Sequence, residues 1–325
     1  ESPMRLIQSG PIVLAGVAIV LWTAVLSAAQ PPRFPGREWE SVTPAEAGMN
    51  ETLLQQARRY ALTGEGAGLI VRSGRQVMAW GDTQQRYDLK STTKSIGVTA
   101  LGLALADGKV RLDDCAVQHH PSFGVPPTSN LETGWIDQIT LKQLATQTAG
   151  FEKPGGYTSL VFAPGMKWSY SDGGPNWLAE CLTLAYRRDM QELLFERVFS
   201  PLGIERDDLK WRNNAYRDHQ LAGLMRREFG SGIHANVNAM ARIGHLYLHR
   251  GRWKGKQIIP NDFVALASQP LPDVVGLPEQ VPNQHGNASD HYGLLWWNNG
   301  DGTLADVPRD AFWSWGLYDS LIVVI

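Results

Sequence analysis

Strand-forming segments stand near both ends of this chain, and helix-forming segments fill most of the sequence between them. Residues 68–71 and 76–80 are apolar runs on either side of Ser73-Gly74, a pattern typical of a β-hairpin. Residues 320–325 read Ser-Leu-Ile-Val-Val-Ile, which predicts a strand buried on both faces. The sequence therefore predicts an α+β fold whose sheet draws strands from both ends and has a helical region inserted.

The N-terminal segment has the pattern of an export signal. Residues 12–29 are almost wholly apolar, follow the basic start Met4-Arg5, and end in small residues. The run is also long enough for an uncleaved membrane anchor, which is the alternative interpretation. We assign residues 1–37 to a signal peptide or anchor plus linker and expect an exported protein, periplasmic or extracellular.

The rest of the chain, residues 38–325, is interpreted as one domain. We expect the sheet to come from about 38–90 and 226–325, and the helical region from about 91–225. A strong strand signal at 320–325 would leave an exposed apolar edge if the sheet ended there. We therefore expect the sequence to be truncated at its C-terminus.

Charge and cysteine content narrow the function classes. The net charge of −2 gives no reason to expect a nucleic-acid partner, and membrane contact is expected only through an uncleaved N-terminal segment. In an exported protein Cys115 and Cys181 could form a disulfide, but two buried thiols are the simpler interpretation.

Neither a metal nor a cofactor is predicted. His245 and His249 have ligand spacing but lack the acidic residue of the zinc-protease pattern, and we interpret them as an exposed helix face. The pair Arg226-Arg227 is interpreted as another solvated helix face. The glycine-rich stretches do not join a strand to a helix as a phosphate-binding loop does.

Ser91 and Lys94 form the strongest chemical motif. On a helix, residues three apart share one face, and this pair opens a strongly apolar helix predicted over residues 91–106. Lys94 can serve as the base for Ser91 if burial or nearby positive charge lowers the pKa of its ammonium group. The free N–H groups at the start of the helix can also stabilise an oxyanion.

A second candidate motif is Tyr170-Ser171-Asp172, in a loop before a predicted helix. Tyr170 could transfer protons beside a neighbouring ammonium group. The alternative interpretation makes Tyr170 a half-buried aromatic residue and Asp172 a helix cap.

Taken together, these segments resemble the β-lactamase-related serine hydrolases, which include class C β-lactamases and penicillin-binding-protein-like enzymes. Ser91 through Lys94 resembles the Ser-x-x-Lys box of the family, and Tyr170 through Asp172 resembles its Tyr-x-Asn box. The resemblance extends, in the family's order, to three further segments: residues 105–114, 139–151 and 251–260.

The resemblance implies an antiparallel sheet flanked by helices, with an inserted all-helical region and the site between the two parts. It also implies that Ser91 attacks a carbonyl group while Lys94 and Tyr170 manage the proton. Backbone N–H groups, one from Ser91 and one from the last strand, would hold the oxyanion.

Two departures from the family limit the expected substrates. Asp172 stands where the family usually has Asn, and the third box, usually Lys-Thr-Gly or His-x-Gly, has no clear match. Its best candidate is Ser314-Trp315-Gly316, which we expect to precede the strand at 320–325. The missing cation weakens the case for β-lactams and D-alanyl peptides, whose carboxylate it would help hold.

We therefore expect an esterase or amidase that forms an acyl-enzyme on Ser91 and acts on a small-molecule ester, amide or peptide. One alternative is a β-lactamase or D-alanyl-D-alanine peptidase. The other is a non-catalytic protein that binds peptidoglycan or a similar ligand, although such a protein would be expected to lose Ser91, Lys94 or Tyr170.

Overall fold

The computed structural model describes residues 32–325. The predicted signal or anchor segment at 12–29 lies outside the described residues. Residues 33–325 belong to one compact unit. Within the described part of the chain, no helix is both long enough and apolar enough to span a bilayer.

Helices make up most of the middle of the chain. The α-helices of the described part are α1 (Glu51–Ala61), α2 (Thr92–Gly97), α3 (Thr99–Ala106), α4 (Leu141–Thr146), α5 (Gly173–Tyr186), α6 (Met190–Leu194), α7 (Val237–Leu248) and α8 (Asn261–Ser268). A π-helical turn over Phe195–Phe199 continues α6. The single helix predicted over 91–106 is divided at Val98, although the backbone of Val98 keeps right-handed helical angles.

Strands lie at both ends of the described region and at the border of the helical part. They are β1 (Gly68–Arg72), β2 (Arg75–Trp80), β3 (Tyr87–Asp88), β4 (Leu209–Trp211), β5 (Gln220–Leu221), β6 (Leu224–Met225), β7 (Ile233–Ala235), β8 (Arg252–Trp253), β9 (Lys256–Gln257), β10 (Trp297–Asn298), β11 (Phe312–Gly316) and β12 (Ser320–Val324). All strand pairs between these elements are antiparallel.

The α+β fold class is confirmed, and the hydrogen-bonded sheets are smaller than expected. Strands β1 and β2 form the predicted hairpin, and β10, β11 and β12 form a separate three-stranded sheet. Helix α7 contacts both β1 and β12, so it joins the two ends of the chain. Gly244 of α7 allows this contact, because a Cβ atom there would lie 2.9 Å from Ile322 Cγ2.

Strand β12 is buried on one face only, so the prediction of two buried faces is wrong. Ile322 and Val324 are buried, whereas Leu321 and Val323 are 41% and 55% exposed. Alternate side chains of a strand point to opposite faces, so a run of apolar residues conceals a one-sided strand.

The segment before β11 is longer than its turn residues suggest. Residues 298–302 contain Asn-Gly and Asp-Gly, which are typical of a tight hairpin, but β10 pairs with β11 only after a loop that ends at Ala311. Asn299 holds this loop together, since its side-chain amide donates to the carbonyl oxygens of Leu304 (3.0 Å) and Val307 (2.8 Å).

Two groups interpreted as solvated helix faces are buried instead. Arg226 and Arg227 follow β6 and are each 6% exposed. Arg226 lies 3.3 Å from the buried Glu180 carboxylate, and Arg227 makes a two-pronged contact with Asp189. His245 is 4% exposed, and its Nε2–H donates to the Arg33 carbonyl oxygen at 2.8 Å.

The two cysteines are free thiols. Cys181 is fully buried on α5, whereas Cys115 is partly exposed. Burial raises the pKa of the Cys181 thiol far above its ordinary value, and this thiol is therefore chemically inert.

Candidate active site

Ser91 lies in the turn between β3 and α2. The N–H of Leu89 donates to the Ile233 carbonyl oxygen, which fixes this turn to β7. Lys90 adopts a left-handed backbone angle, φ +49°, and α2 begins directly after Ser91. Ser91 stands at the N-cap position but its side chain makes no capping bond, so its half-buried hydroxyl is free to react.

Lys94 sits one turn into α2 and is almost completely buried, with 1% exposure. Its Nζ lies 3.0 Å from Ser91 Oγ and 2.8 Å from the Gly230 carbonyl oxygen, and it forms an ion pair with Asp172. An ammonium group has three N–H donors, and these three acceptors match them. The geometry is that of a charged lysine.

A lysine that serves as the base for Ser91 would need a lowered pKa, and the pKa of Lys94 is not lowered. Burial acts to lower the pKa of Lys94, but the charge of Asp172 and its hydrogen bond, together with Tyr170, outweigh this and raise it. At neutral pH Lys94 is therefore a hydrogen-bond donor to Ser91.

Asp172 stands at the N-cap position of α5, yet its side chain makes no capping bond. Its carboxylate faces Lys94 through Oδ1 and lies 3.6 Å from Lys153 Nζ through Oδ2. Burial acts to raise the pKa of Asp172, but the two lysines outweigh it, so the pKa is lowered. The interpretation of Asp172 as a helix cap is therefore wrong, because its side chain caps nothing. Where the family usually has Asn, this chain has a carboxylate that is the counterion of the buried Lys94.

Tyr170 lies between two ammonium groups. The Nζ atoms of Lys94 and Lys153 stand 4.8 Å and 4.6 Å from the centroid of its ring. The ring is half-buried and stacks on Trp297 with 5.8 Å between centroids. The structure thus brings Ser91 and Tyr170 together on either side of the Lys94 ammonium.

Lys153 is the site residue that sequence reasoning missed. It lies on the loop that follows α4, and the only local pattern there is Lys153-Pro154-Gly155-Gly156, a turn signal without a chemical motif. Its place beside Tyr170 depends on the course of that loop, which the sequence does not reveal.

The third-box candidate precedes β12 as predicted, and it lies at the end of a further strand, β11, that pairs with β12. Ser314 is fully buried, accepts the N–H of Ile322 at 2.8 Å, and lies 2.9 Å from Thr92 Oγ1. Ser314 therefore connects the last strands to the turn that carries Ser91, and its hydroxyl is engaged in these contacts.

Gly316 ends β11 against the turn that carries Ser91. A Cβ atom at this position would collide with the Leu89 carbonyl oxygen and lie 3.1 Å from Thr92 N. Only glycine permits this close approach of the two backbones. Trp315, in contrast, is 48% exposed, and its ring lies 5.7 Å from that of Trp297.

Within residues 32–325, no group of three or more His, Cys, Asp or Glu side chains is placed to hold a metal ion. Lys90 is engaged by Asp88, whose carboxylate lies 2.6 Å from its Nζ.

Comparison with known proteins agrees with the family resemblance seen in the sequence. The sequence model of a family described as Beta-lactamase matches residues 55–312, which is most of the chain. The match includes every candidate site residue except those on β11 beyond Phe312.

Three solved structures resemble the chain closely enough to confirm a β-lactamase/transpeptidase-like fold. EstCE1, described as a hydrolase with promiscuous acyltransferase activity, is 18% identical, with coverage of 84% of this chain and 92% of its own and a TM-score of 0.61. A penicillin-binding protein homologue from Caulobacter crescentus is 15% identical, with 86% of each chain covered and a TM-score of 0.57. A beta-lactamase from Mycobacterium bovis is 21% identical, with 77% and 78% covered and a TM-score of 0.56.

Proposed function

Because the chain belongs to the Beta-lactamase family, whose members are serine hydrolases, we propose that it cleaves a small-molecule ester or amide through an acyl-enzyme on Ser91. The observation that carries this proposal is the contact of 3.0 Å between Ser91 Oγ and the buried Lys94 ammonium, with Tyr170 beside them. Nucleophilic catalysis by serine requires a hydroxyl close to a group that can take its proton, and Tyr170 is the candidate for that group here.

The charge on Lys94 assigns the proton-transfer step. As an ammonium group, Lys94 has no lone pair to accept the proton of Ser91. We propose that Tyr170 takes part as its phenolate, which the ammonium groups of Lys94 and Lys153 beside it favour. The phenolate oxygen accepts the proton of Ser91 Oγ as the new bond to the carbonyl carbon forms. Tyr170 then returns this proton to the departing oxygen or nitrogen, and a water molecule repeats the sequence to release the acid.

The developing oxyanion would be held by backbone N–H groups. One donor in this proposal is the N–H of Ser91, at the start of α2. The second comes from the chain at the Gly316 end of β11, which the contact with Leu89 and Thr92 brings against the nucleophile turn. Donors fixed in this way before the reaction lower the barrier without reorganisation.

An ester or amide is favoured over a β-lactam by the composition of the third box. Ser314 stands at the position of the family's cation and is buried and uncharged, and the neighbouring Trp315 is an apolar ring that is 48% exposed. The second candidate, a β-lactamase or D-alanyl-D-alanine peptidase, keeps the same acyl-serine chemistry and differs only in substrate. A non-catalytic binder would form no covalent bond at Ser91.

These candidates are separated by covalent labelling. The protein is incubated with a fluorescent fluorophosphonate and, separately, with a fluorescent penicillin, and compared with Ser91→Ala. Ser268→Ala, which removes a weakly bonded hydroxyl at the end of α8, is the matched control. We expect fluorophosphonate label on the native protein and on Ser268→Ala, and none on Ser91→Ala.

Label from the penicillin as well would favour the β-lactamase or peptidase. The absence of label from both reagents would overturn the enzymatic proposal. Mass spectrometry of the labelled peptide places the adduct, and an adduct on a residue other than Ser91 would contradict the assigned nucleophile.

Export is a second part of the proposal, supported by the apolar run at residues 12–29. We expect the full chain, expressed in a bacterial host, to reach the periplasm and to lose its first residues near Ala29. Cell fractionation followed by N-terminal sequencing tests this, and an intact N-terminus in the cytoplasmic fraction would contradict it.

A further inference from the structure

Two lysines of the candidate site share one carboxylate. Lys94 and Lys153 both face Asp172. Lys94 is buried and has three close acceptors, which occupy its three N–H donors. Lys153 is the more exposed of the two, so it is the lysine that an anion from solution can reach.

The ionic contact between Lys153 and Asp172 is weak. Its Nζ is 3.6 Å from Oδ2, beyond the range of a strong charge-assisted hydrogen bond, and its side chain is 41% exposed. Burial lowers the pKa of Lys153, and the repulsion of Lys94 adds to this while Asp172 opposes it. Because its contact with Asp172 is long and its side chain is partly exposed, the Lys153 ammonium has N–H donors available to an anion from solution.

The loop that carries Lys153 is fixed close to the site. Residues Phe151 and Leu160 form a β-bridge, and the N–H of Glu152 donates to the Ser159 carbonyl oxygen at 2.9 Å. The hydroxyl of Thr158 closes the loop by donating to the Glu152 carbonyl oxygen at 2.6 Å. The base of the Lys153 side chain is therefore held in place, and less entropy is lost when its ammonium group binds a ligand.

A row of aromatic rings leads from the protein surface to Lys153. Trp315 is half exposed, its ring contacts Trp297, and Trp297 stacks on Tyr170. The Lys153 ammonium stands over the far end of this row, 4.6 Å from the Tyr170 ring centroid. The row thus offers an apolar surface that ends in a cation.

Other cations near the site are already engaged. The Lys90 ammonium group is paired with Asp88. Arg212 forms an ion pair with the buried Glu228 and donates to Ser231 Oγ at 2.8 Å. His285, next to Tyr170, is held neutral because burial lowers its pKa.

We infer that Lys153 is a specificity-determining residue that binds a carboxylate of the substrate. The substrate class is then an ester or amide in which an apolar segment separates the scissile carbonyl group from a carboxylate. The cation that binds the carboxylate would then be Lys153, on the loop after α4. The family's cation belongs to the third box, and the candidate for that box in this chain, on β11, has no charged residue. The inference rests on the proposed acyl-serine function.

The test uses esters that differ only in charge. Mono-4-nitrophenyl glutarate carries a carboxylate on its acyl chain, and its methyl ester is the neutral partner. 4-Acetoxybenzoate and methyl 4-acetoxybenzoate form the same pair on the leaving-group side. The ratio of kcat/KM between the anionic and the neutral ester is measured for the native protein, Lys153→Met, Lys153→Arg and the control Lys256→Met, which removes an exposed lysine on β9.

We expect the native protein to prefer the carboxylate in at least one pair, by roughly tenfold or more, as for a hydrogen bond to a charged group. Lys153→Met should abolish this preference, while Lys153→Arg and Lys256→Met should keep it. The native preference should also fall as the salt concentration rises, because ions screen an exposed charge.

Two outcomes would overturn the inference. If Ser91 is labelled but the native protein and Lys153→Met show the same ratio, this inference fails and the acyl-serine function stands. If no ester is cleaved and Ser91 takes no label, the proposed function fails and the inference fails with it. Native-like thermal unfolding of Lys153→Met itself shows that its lost preference concerns recognition and not folding.

Discussion

Replacing Asp172 by Asn should destabilise the protein strongly at neutral pH. Lys94 is 1% exposed, and Asp172 is its only anionic partner among the close contacts of its Nζ atom. Unit charges about 4 Å apart attract each other by roughly 4 kcal/mol at an effective dielectric constant of about 20. Removing one partner of a buried ion pair typically costs about 3–5 kcal/mol. We expect the free energy of unfolding of Asp172→Asn to fall by that amount near pH 6.

The loss should depend on pH in a defined direction. In the native protein the pKa of Lys94 is raised above its ordinary value of 10.5, so its ammonium stabilises the fold below pH 10.5 and loses this effect as the pH rises further. In Asp172→Asn the burial of Lys94 is unopposed by a carboxylate, and its pKa falls below 10.5. The variant is then penalised most at low pH and recovers stability as Lys94 loses its proton, by about 1.4 kcal/mol per pH unit.

Urea unfolding followed by tryptophan fluorescence at about pH 6, 8 and 10 measures this difference. Asp207→Asn is the matched control, because Asp207 is 98% exposed and lies 4.0 Å from Arg86. The control should change stability by less than about 1 kcal/mol. A difference between native protein and Asp172→Asn that is constant over this pH range would refute the charged state assigned to Lys94.

Tyr170→Phe should lower kcat/KM for 4-nitrophenyl acetate by about 10²–10⁴-fold, because it removes the proposed proton acceptor, and a loss below tenfold would contradict that role. Burial raises the pKa of Glu228 to about 7, so its contribution to stability is complete below its ordinary value of 4.5 and disappears as the pH rises through 7. Glu228→Gln should therefore flatten the decline of the melting temperature over this range, and an unchanged decline would show that another group causes it. Ile322→Ala should cost about 2–5 kcal/mol and Val323→Ala less than about 1 kcal/mol, and equal losses in thermal unfolding would be incompatible with a one-sided β12.

The sequence predicted the elements that depend on neighbours in the chain. Ser91 and Lys94 meet because three residues on a helix bring two side chains to one face. Tyr170 joins them from a distant segment, and its place was inferred from the resemblance of several ordered segments to one family. The hairpin at residues 68–80 followed from its turn residues and apolar runs.

What the sequence left open depends on contacts between distant segments. The partner of Arg226 is Glu180, on another element, so no local pattern distinguishes this buried arginine from a solvated one. Lys153 reaches Tyr170 through the course of a loop. The charge of Lys94 depends on Asp172, and the sequence showed the substitution of Asn without showing that the two side chains meet.

The attachment of the nucleophile turn to the last strands has a consequence for how the protein is made. Thr92 lies against Ser314 and donates to the Ser320 carbonyl oxygen, and the Ile322 N–H completes this set of contacts. During synthesis the turn that carries Ser91 emerges long before residues 314–322, so these contacts form only when that late segment folds onto the turn. A nascent chain that stalls earlier would lack them, and contacts between such distant segments also slow folding.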